Sequence, residues 1–185
     1  MDTRRWRNLG IVLALLAALF VLTQVRESGH TVRATAVFDL EPDEVGRIVI
    51  SEGDQRSELL RLDTLWVLAG HETEQLRSWR LDAFFNSVLS VERESLISEN
   101  PAKWSTYGVD STGRQLQVYN RKGELQSHLV VGRSTVNWQS SYLRAIGEDQ
   151  VYQTRQGIYQ FIAAGAEFWL EPPPPEPDTT GAGEQ

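Results

Sequence analysis

The run LGIVLALLAALFVLTQV, residues 9–25, is seventeen residues without a charge, interrupted only by Thr23 and Gln24. As a helix it reaches about 26 Å at 1.5 Å per residue, which just crosses a hydrocarbon core. The same length overlaps the apolar region of a signal peptide, so a cleavage site has to decide between a leader that is removed and an anchor that stays. The small-x-small triplet downstream, Ala34-Thr35-Ala36, lies well past the run and beyond Arg26 and Arg33, too far for a peptidase site. TRRWRN places two arginines ahead of the run as a twin-arginine export signal does, but Arg7 and Asn8 stand where apolar residues should follow. Arg4, Arg5 and Arg7 put positive charge on the N-terminal side and favour keeping that end in the cytoplasm. The expectation is a retained single-pass anchor, with residues 1–8 cytoplasmic and the body of the chain outside.

Setting aside Arg4, Arg5, Arg7 and Asp2, residues 26–185 carry 15 Lys and Arg against 24 Asp and Glu, a net charge of −9. That balance argues against nucleic acid or anionic headgroups as main partners, although it allows a local basic patch. The absence of cysteine excludes lipidation through an N-terminal Cys, a disulfide framework and a thiolate metal site. Residues 26–44 read as a polar tether, and EPPPPEPDTTGAGEQ as an extended polyproline segment fading into disorder, a Pro-rich tail over 172–185.

The globular unit then occupies residues 45–171. RIVISEGDQRSELLRLDTLWVLAG reads as three strands, with Ile48 and Ile50, Leu60 and Leu62, and Trp66 and Leu68 at period two and turns at SEGDQ and LDT. LRSWRLDAFFNSVLSVERE changes period, aligning Leu81, Phe84, Phe85, Val88 and Val91 along an amphipathic helix. ISENPAKWSTYGVD breaks both patterns at Pro101 and Gly108. RQLQVY and ELQSHLVVG form a hairpin with Leu116 and Val118 facing Leu125, Leu129 and Val131, and SSYLRAIGEDQVYQT forms another through Gly147. GIYQFIAAGAEFWL places Ile158, Phe161, Ile162 and Trp169 on one helical face. Each block is strands followed by a helix, so the fold class is α+β, antiparallel hairpins with packed helices behind one N-terminal transmembrane helix.

No residue set amounts to a catalytic signature. HETEQ has the His-Glu start of a zinc-protease helix, but Gln75 stands where the second histidine belongs, and His30 and His128 are not spaced to join His71. No G-x-S-x-G elbow supports Ser105, Ser134 or Ser140 as a nucleophile. Glu92 with Glu94, or Asp43 with Glu44, are pairs that an acidic surface produces by accident. Gly132-Arg133-Ser134 lacks the lysine and second glycine of a phosphate loop, so Gly132 reads as a turn or a close backbone approach. Tyr107-Gly108 reads as a packed aromatic and a turn glycine. No enzyme, cofactor or metal is expected.

The loop RSTVNWQSSY sets Trp138 among polar residues with no partner at period two or at helical spacing. Trp104 is similar, with Tyr107 offering it a core role. Aromatics on loops either cover a core or anchor an interface, where Trp is over-represented among the residues that dominate binding. The candidate partner-binding residues are Trp138, Arg133 and Tyr142.

RIVI, LWVL, RLDAFFNSVLSV, YGVD, LVVG, SYLR and QVYQT, following an N-terminal apolar helix in this order, resemble the bacterial DUF4340 family of uncharacterised proteins. Trp66, Asp82, Tyr107, Gly108, Gly132, Tyr142, Arg144, Val151 and Tyr152 occupy positions where that family's pattern has like residues. The resemblance implies an extracytoplasmic α+β domain on the bacterial inner membrane, often encoded beside ATP-binding-cassette transporters of the gliding-motility type, and it assigns no catalytic residue. Longer members carry more than one such unit. The expected function is an interaction module of a transporter-like envelope complex; the alternative is a small-ligand or glycan-binding domain.

Overall fold

The computed structural model describes residues 31–135 and 138–172. The apolar run 9–25 with its flanking arginines, and the tail from residue 173, lie outside the described residues. Among the described residues no helix is long and apolar enough to cross a membrane.

Nine strands form a single sheet within the described part: β1 (Thr31–Ala36), β2 (Val45–Glu52), β3 (Gln55–Leu62), β4 (Leu65–Leu68), β5 (Glu92–Ser98), β6 (Arg114–Asn120), β7 (Leu125–Arg133), β8 (Ser141–Ala145) and β9 (Val151–Thr154). Their order is β1-β5-β9-β8-β7-β6-β2-β3-β4, and every neighbouring pair is antiparallel. The architecture is therefore β-rich, a continuous sheet with little helix, where the sequence suggests two strand-then-helix blocks. The folded part also starts earlier than Val45. β1 pairs with β5 inside the stretch that reads as a tether, and Phe38 is buried in the core.

Register explains the main core. Residues directly opposite one another across an antiparallel pair share a face. Leu68 lies opposite Leu59, Leu59 opposite Ile48 and Ile48 opposite Val118, so one apolar row crosses four strands. Ile50, Leu116 and Leu129 make the next row. The face expected on β3 is thus shifted by one residue: Leu59 and Ser57 are inside, whereas Leu60 faces the other way opposite Arg47 and Leu62 is exposed. Ser57 satisfies its buried hydroxyl by donating to the Ala164 carbonyl at 2.8 Å. A register shift between Val118 and Tyr119 likewise sets Leu125 opposite Tyr119 and leaves it exposed rather than beside Leu129.

One helix packs on this face. Ser78–Ala83 is α-helical (α1) and runs directly into a wider π-helical segment, Phe84–Leu89. A five-residue repeat brings Phe84 and Leu89 onto one side with Val88, and all three are buried. Leu81 and Phe85 pack at the rim of the core. The helical pattern ends at Ser90, and the residues after it, including Glu92 and Glu94, become β5. The second helix expected over GIYQFIAAGAEFWL is instead two short 3-10 turns, Tyr159–Phe161 and Ala166–Phe168, because Gly165 adopts an extended conformation between them. Ile158, Ile162 and Trp169 are nonetheless buried against the sheet, and the Trp169 indole donates to the Ala163 carbonyl at 2.9 Å.

The opposite face of the sheet has a smaller core. Val109, Val130 and Val151 are buried there with Trp104, Tyr107 and Tyr142 packed against them; Trp104, Tyr107 and Val109 come from the connection that precedes β6. Gly132 permits that connection to lie flat: a Cβ at this position would stand 1.9 Å from the Tyr107 carbonyl oxygen, so only glycine fits. Gly108 takes the left-handed conformation that ends the short turn Ser105–Tyr107.

Candidate functional site

β2 and β6 pair so that Glu52, at the end of one, meets Arg114, at the start of the other. The Arg114 Nε donates to Glu52 Oε2 at 2.9 Å, and its Nη1 donates to the carbonyls of Tyr159 and Ile162. Tyr159 lays its ring under the guanidinium, 4.0 Å from centroid to Cζ, and donates its hydroxyl to Glu52 Oε1 at 2.8 Å. The turn that supplies Tyr159 is fixed from β8: the Ser141 Oγ accepts from the backbone N–H groups of Ile158 and Tyr159 at 3.0 and 3.1 Å. One carboxylate, one guanidinium and one phenol thus join β2, β6 and the C-terminal segment.

Burial alone would raise the Glu52 carboxyl, but the hydrogen bonds from Tyr159 and Arg114 and the charge of Arg114 outweigh it and hold the group below the usual carboxylate value. Burial, and then the bond to Glu52, push the Tyr159 phenol up. Glu52 is therefore ionised at neutral pH with both oxygens engaged, an arrangement suited to holding structure rather than to passing a proton.

Arg114 and Tyr159 of this network, with Ser141, line a cavity of about 340 Å3 at the end of the sheet. Arg133, Trp138, Gln160 and Phe168 complete its wall. Trp138 is 75 % exposed, so it does not cover the core; it stands at the mouth. Its backbone is seated firmly, since Gly157 lies so close beneath that a Cβ there would be 2.9 Å from the Trp138 carbonyl. Arg133 and Trp138 thus share one cavity, as their places in the loop suggest.

Tyr142 does not join them. It lies opposite Gly132 on β7, whereas Arg133 lies opposite Ser141, and alternation turns the Tyr142 ring to the other face. There it meets Tyr107 edge-to-face, with centroids 5.0 Å apart. Trp104 lies in the same region, its ring 3.9 Å from the Arg144 guanidinium and its indole donating to the Asp149 carbonyl. Arg144, itself buried, donates to the Val109 carbonyl at 2.9 Å. Tyr107, Gly108, Gly132, Tyr142, Arg144 and Val151, which help to give the chain its resemblance, therefore converge on the smaller core and not on the cavity.

The family model for a domain of unknown function, DUF4340, matches residues 66–181. The chain belongs to the DUF4340 family. The match begins at Trp66, so β1 to β3, including the RIVI segment, precede the part of this DUF4340 chain that the family model covers. No curated protein matches the chain, and no solved structure does.

His71 and His128 do not line this cavity, and His30 lies outside the described residues. His71 pairs with Glu74 at 2.6 Å on the surface, and His128 sits on β7 beside Gln115 and Gln117 of β6. Burial, with Arg144 nearby, pushes the His128 imidazole down. Among the described residues no group of three or more His, Asp or Glu is placed to hold a metal. Glu92 is taken up by Arg155 at 2.8 Å. Glu52, Arg114, Tyr159 and Phe168 were not legible as site residues, because their meeting depends on the β2–β6 pairing and on the fold-back of the C-terminal segment.

Proposed function

We propose that this DUF4340 chain is a membrane-anchored interaction module. Its apolar run stays in the bacterial cytoplasmic membrane as a single-pass helix, its sheet domain lies outside the cytoplasm, and the Trp138–Arg133 rim docks onto a membrane protein complex of the transporter-like kind. The observation that carries this reading is Trp138: a large aromatic held out into solvent by a loop whose backbone is braced on Gly157. Exposed tryptophan and arginine beside a shaped hollow are what interface centres are built from. The rigid Glu52–Arg114–Tyr159 base supports the rim, so little ordering entropy is lost on docking. No catalytic step belongs to the proposal, in keeping with a Glu52 that is ionised and fully bonded.

A second reading is favoured by the cavity itself. About 340 Å3 lined by Trp138, Tyr159 and Phe168 with Arg133 and Gln160 falls at the small end of ligand sites. It would suit a small polar ring such as a sugar. Crosslinking and affinity purification of the full-length chain from its native membrane tests the first reading. Recovery of a defined membrane complex supports it; a Trp138 fluorescence change on titrating saccharides, with no protein recovered, supports the second.

A further inference from the structure

Six large apolar side chains are exposed among the described residues, and four of them gather at one end of the sheet: Leu62 (57 %), Leu65 (71 %), Leu125 (50 %) and Ile146 (46 %). Leu62 and Leu65 flank the β3–β4 turn, Leu125 opens β7 after the β6–β7 turn, and Ile146 follows β8. Antiparallel pairing puts these three turns at the same end. Trp138 stands at the opposite end. Hairpin turns facing water are normally polar, so this clustering of leucines and isoleucine on successive turns is not what solvent alone selects.

A cleft of about 420 Å3 opens at the same end, lined by Arg47, Arg61, Asp63, Asn120 and Arg121. Arg47 is engaged, lying 3.8 Å over the Tyr119 ring and pairing with Glu58 at 3.3 Å. The other two arginines hydrogen-bond to backbone carbonyls, and Arg61 also lies 6.0 Å from the Trp66 ring centroid. Arg61 donates to the carbonyls of Asp63, Pro42 and Asp43, and Arg121 donates to that of Asp43. Among the described residues neither forms an ion pair with a carboxylate, and Lys122 in the same turn is exposed. Guanidiniums positioned by carbonyls and left with spare donors are suited to a phosphate oxygen. Asp39, Asp43 and Glu44 line the neighbouring hollow, so this end is not cationic as a whole. It fits a zwitterionic phosphate surface better than a strongly anionic one.

The direction of the chain says which surface that is. β1 runs antiparallel to β5, so Thr31 enters the sheet at the end that holds the β3–β4, β6–β7 and β8–β9 turns. Five residues, 26–30, separate the apolar run from Thr31. Fully extended they reach at most about 18 Å, and the headgroup layer on one side of a bilayer takes up about 5 to 8 Å of that. We propose that this end of the sheet rests on the membrane that anchors the chain, with Leu62, Leu65, Leu125 and Ile146 in the interfacial layer and the Arg61–Arg121 cleft on a phospholipid phosphate. The proposal rests on the anchor reading above and not on the docking role of Trp138, which it would direct away from the bilayer.

The test uses the full-length chain in phosphatidylcholine nanodiscs and in maltoside micelles, which carry no phosphate. Amide hydrogen exchange is expected to slow about tenfold in the discs across residues 62–65 and 121–125, with no change at the β2–β3 turn. Leu62→Ser with Leu65→Ser, and separately Arg61→Gln with Arg121→Gln, should remove that protection while leaving the unfolding midpoint in micelles within a few degrees. Equal exchange in discs and micelles would overturn the proposal. So would the same protection in micelles on adding inorganic phosphate, which would assign the cleft to a free anion. Mass spectrometry of the N-terminus separates the two layers of the argument: an intact N-terminus without protection defeats this proposal alone, whereas a mature N-terminus after the apolar run defeats the anchor.

Discussion

Tyr159, which lines the same cavity as Trp138, donates its hydroxyl to Glu52 at 2.8 Å across 107 residues of sequence, tying the C-terminal segment to the end of β2. Arg114 completes the triangle from β6. The rim that presents Trp138 and Arg133 is therefore built on a charged, hydrogen-bonded floor.

Tyr159→Phe keeps the ring under Arg114 and removes one bond to a part-exposed carboxylate. The expected loss is about 1 kcal/mol, or roughly 3 °C in the midpoint for a domain of this size. Glu52→Gln should cost about 2 kcal/mol, since it removes the charge facing Arg114 and leaves one acceptor oxygen where two are used. Chemical denaturation of the three proteins checks the order wild type, Tyr159→Phe, Glu52→Gln.

Acid should weaken the fold in two steps. His128 is pushed below its ordinary value of 6.5, so the unfolded chain binds its proton first and stability falls as pH drops through 6.5 toward the folded value. Glu52 lies below its ordinary 4.5, so its contribution is complete above 4.5 and is lost as pH falls through its lower folded value. In denaturation measured against pH, His128→Gln should flatten the first step and Glu52→Gln the second.

Gly132→Ala should be among the most damaging single-methyl additions. The added carbon would overlap the Tyr107 carbonyl, which cannot move without lifting the connection off Val130 and Val151. A loss of about 3 kcal/mol is expected, the upper range for overpacking, together with a weakened near-ultraviolet circular dichroism signal from Tyr107 and Tyr142. A wild-type midpoint would show that the close approach is not maintained in solution.

The hairpins were legible because Ile48, Ile50, Leu116, Val118, Leu129 and Val131 alternate cleanly between turn residues. β5 and β1 were not: ERESLIS and TVRATA pair at the sheet margin, have no clean apolar alternation and are specified by long-range pairing. Leu59 and Leu60 are both apolar, so the inward face of β3 is settled only by its register on Ile48. The terminal helix failed for a related reason, since Ile158, Ile162 and Trp169 satisfy a helical wheel but are buried equally well by a segment broken at Gly165. For the candidate site, Trp138 and Arg133 stood out locally as an aromatic and a cation in a polar loop. Tyr142 was adjacent in sequence but one residue out of phase with them on the pleated sheet.

The central claim is that Trp138 anchors a partner, and crosslinking followed by affinity purification of full-length wild type and Trp138→Ala from the native membrane tests it most directly. Because the side chain is 75 % exposed, its removal should change stability by no more than about 0.5 kcal/mol. Partner recovery should fall about thirtyfold, the equivalent of about 2 kcal/mol of interface energy. Undiminished recovery by a variant of wild-type stability would contradict the docking role of Trp138.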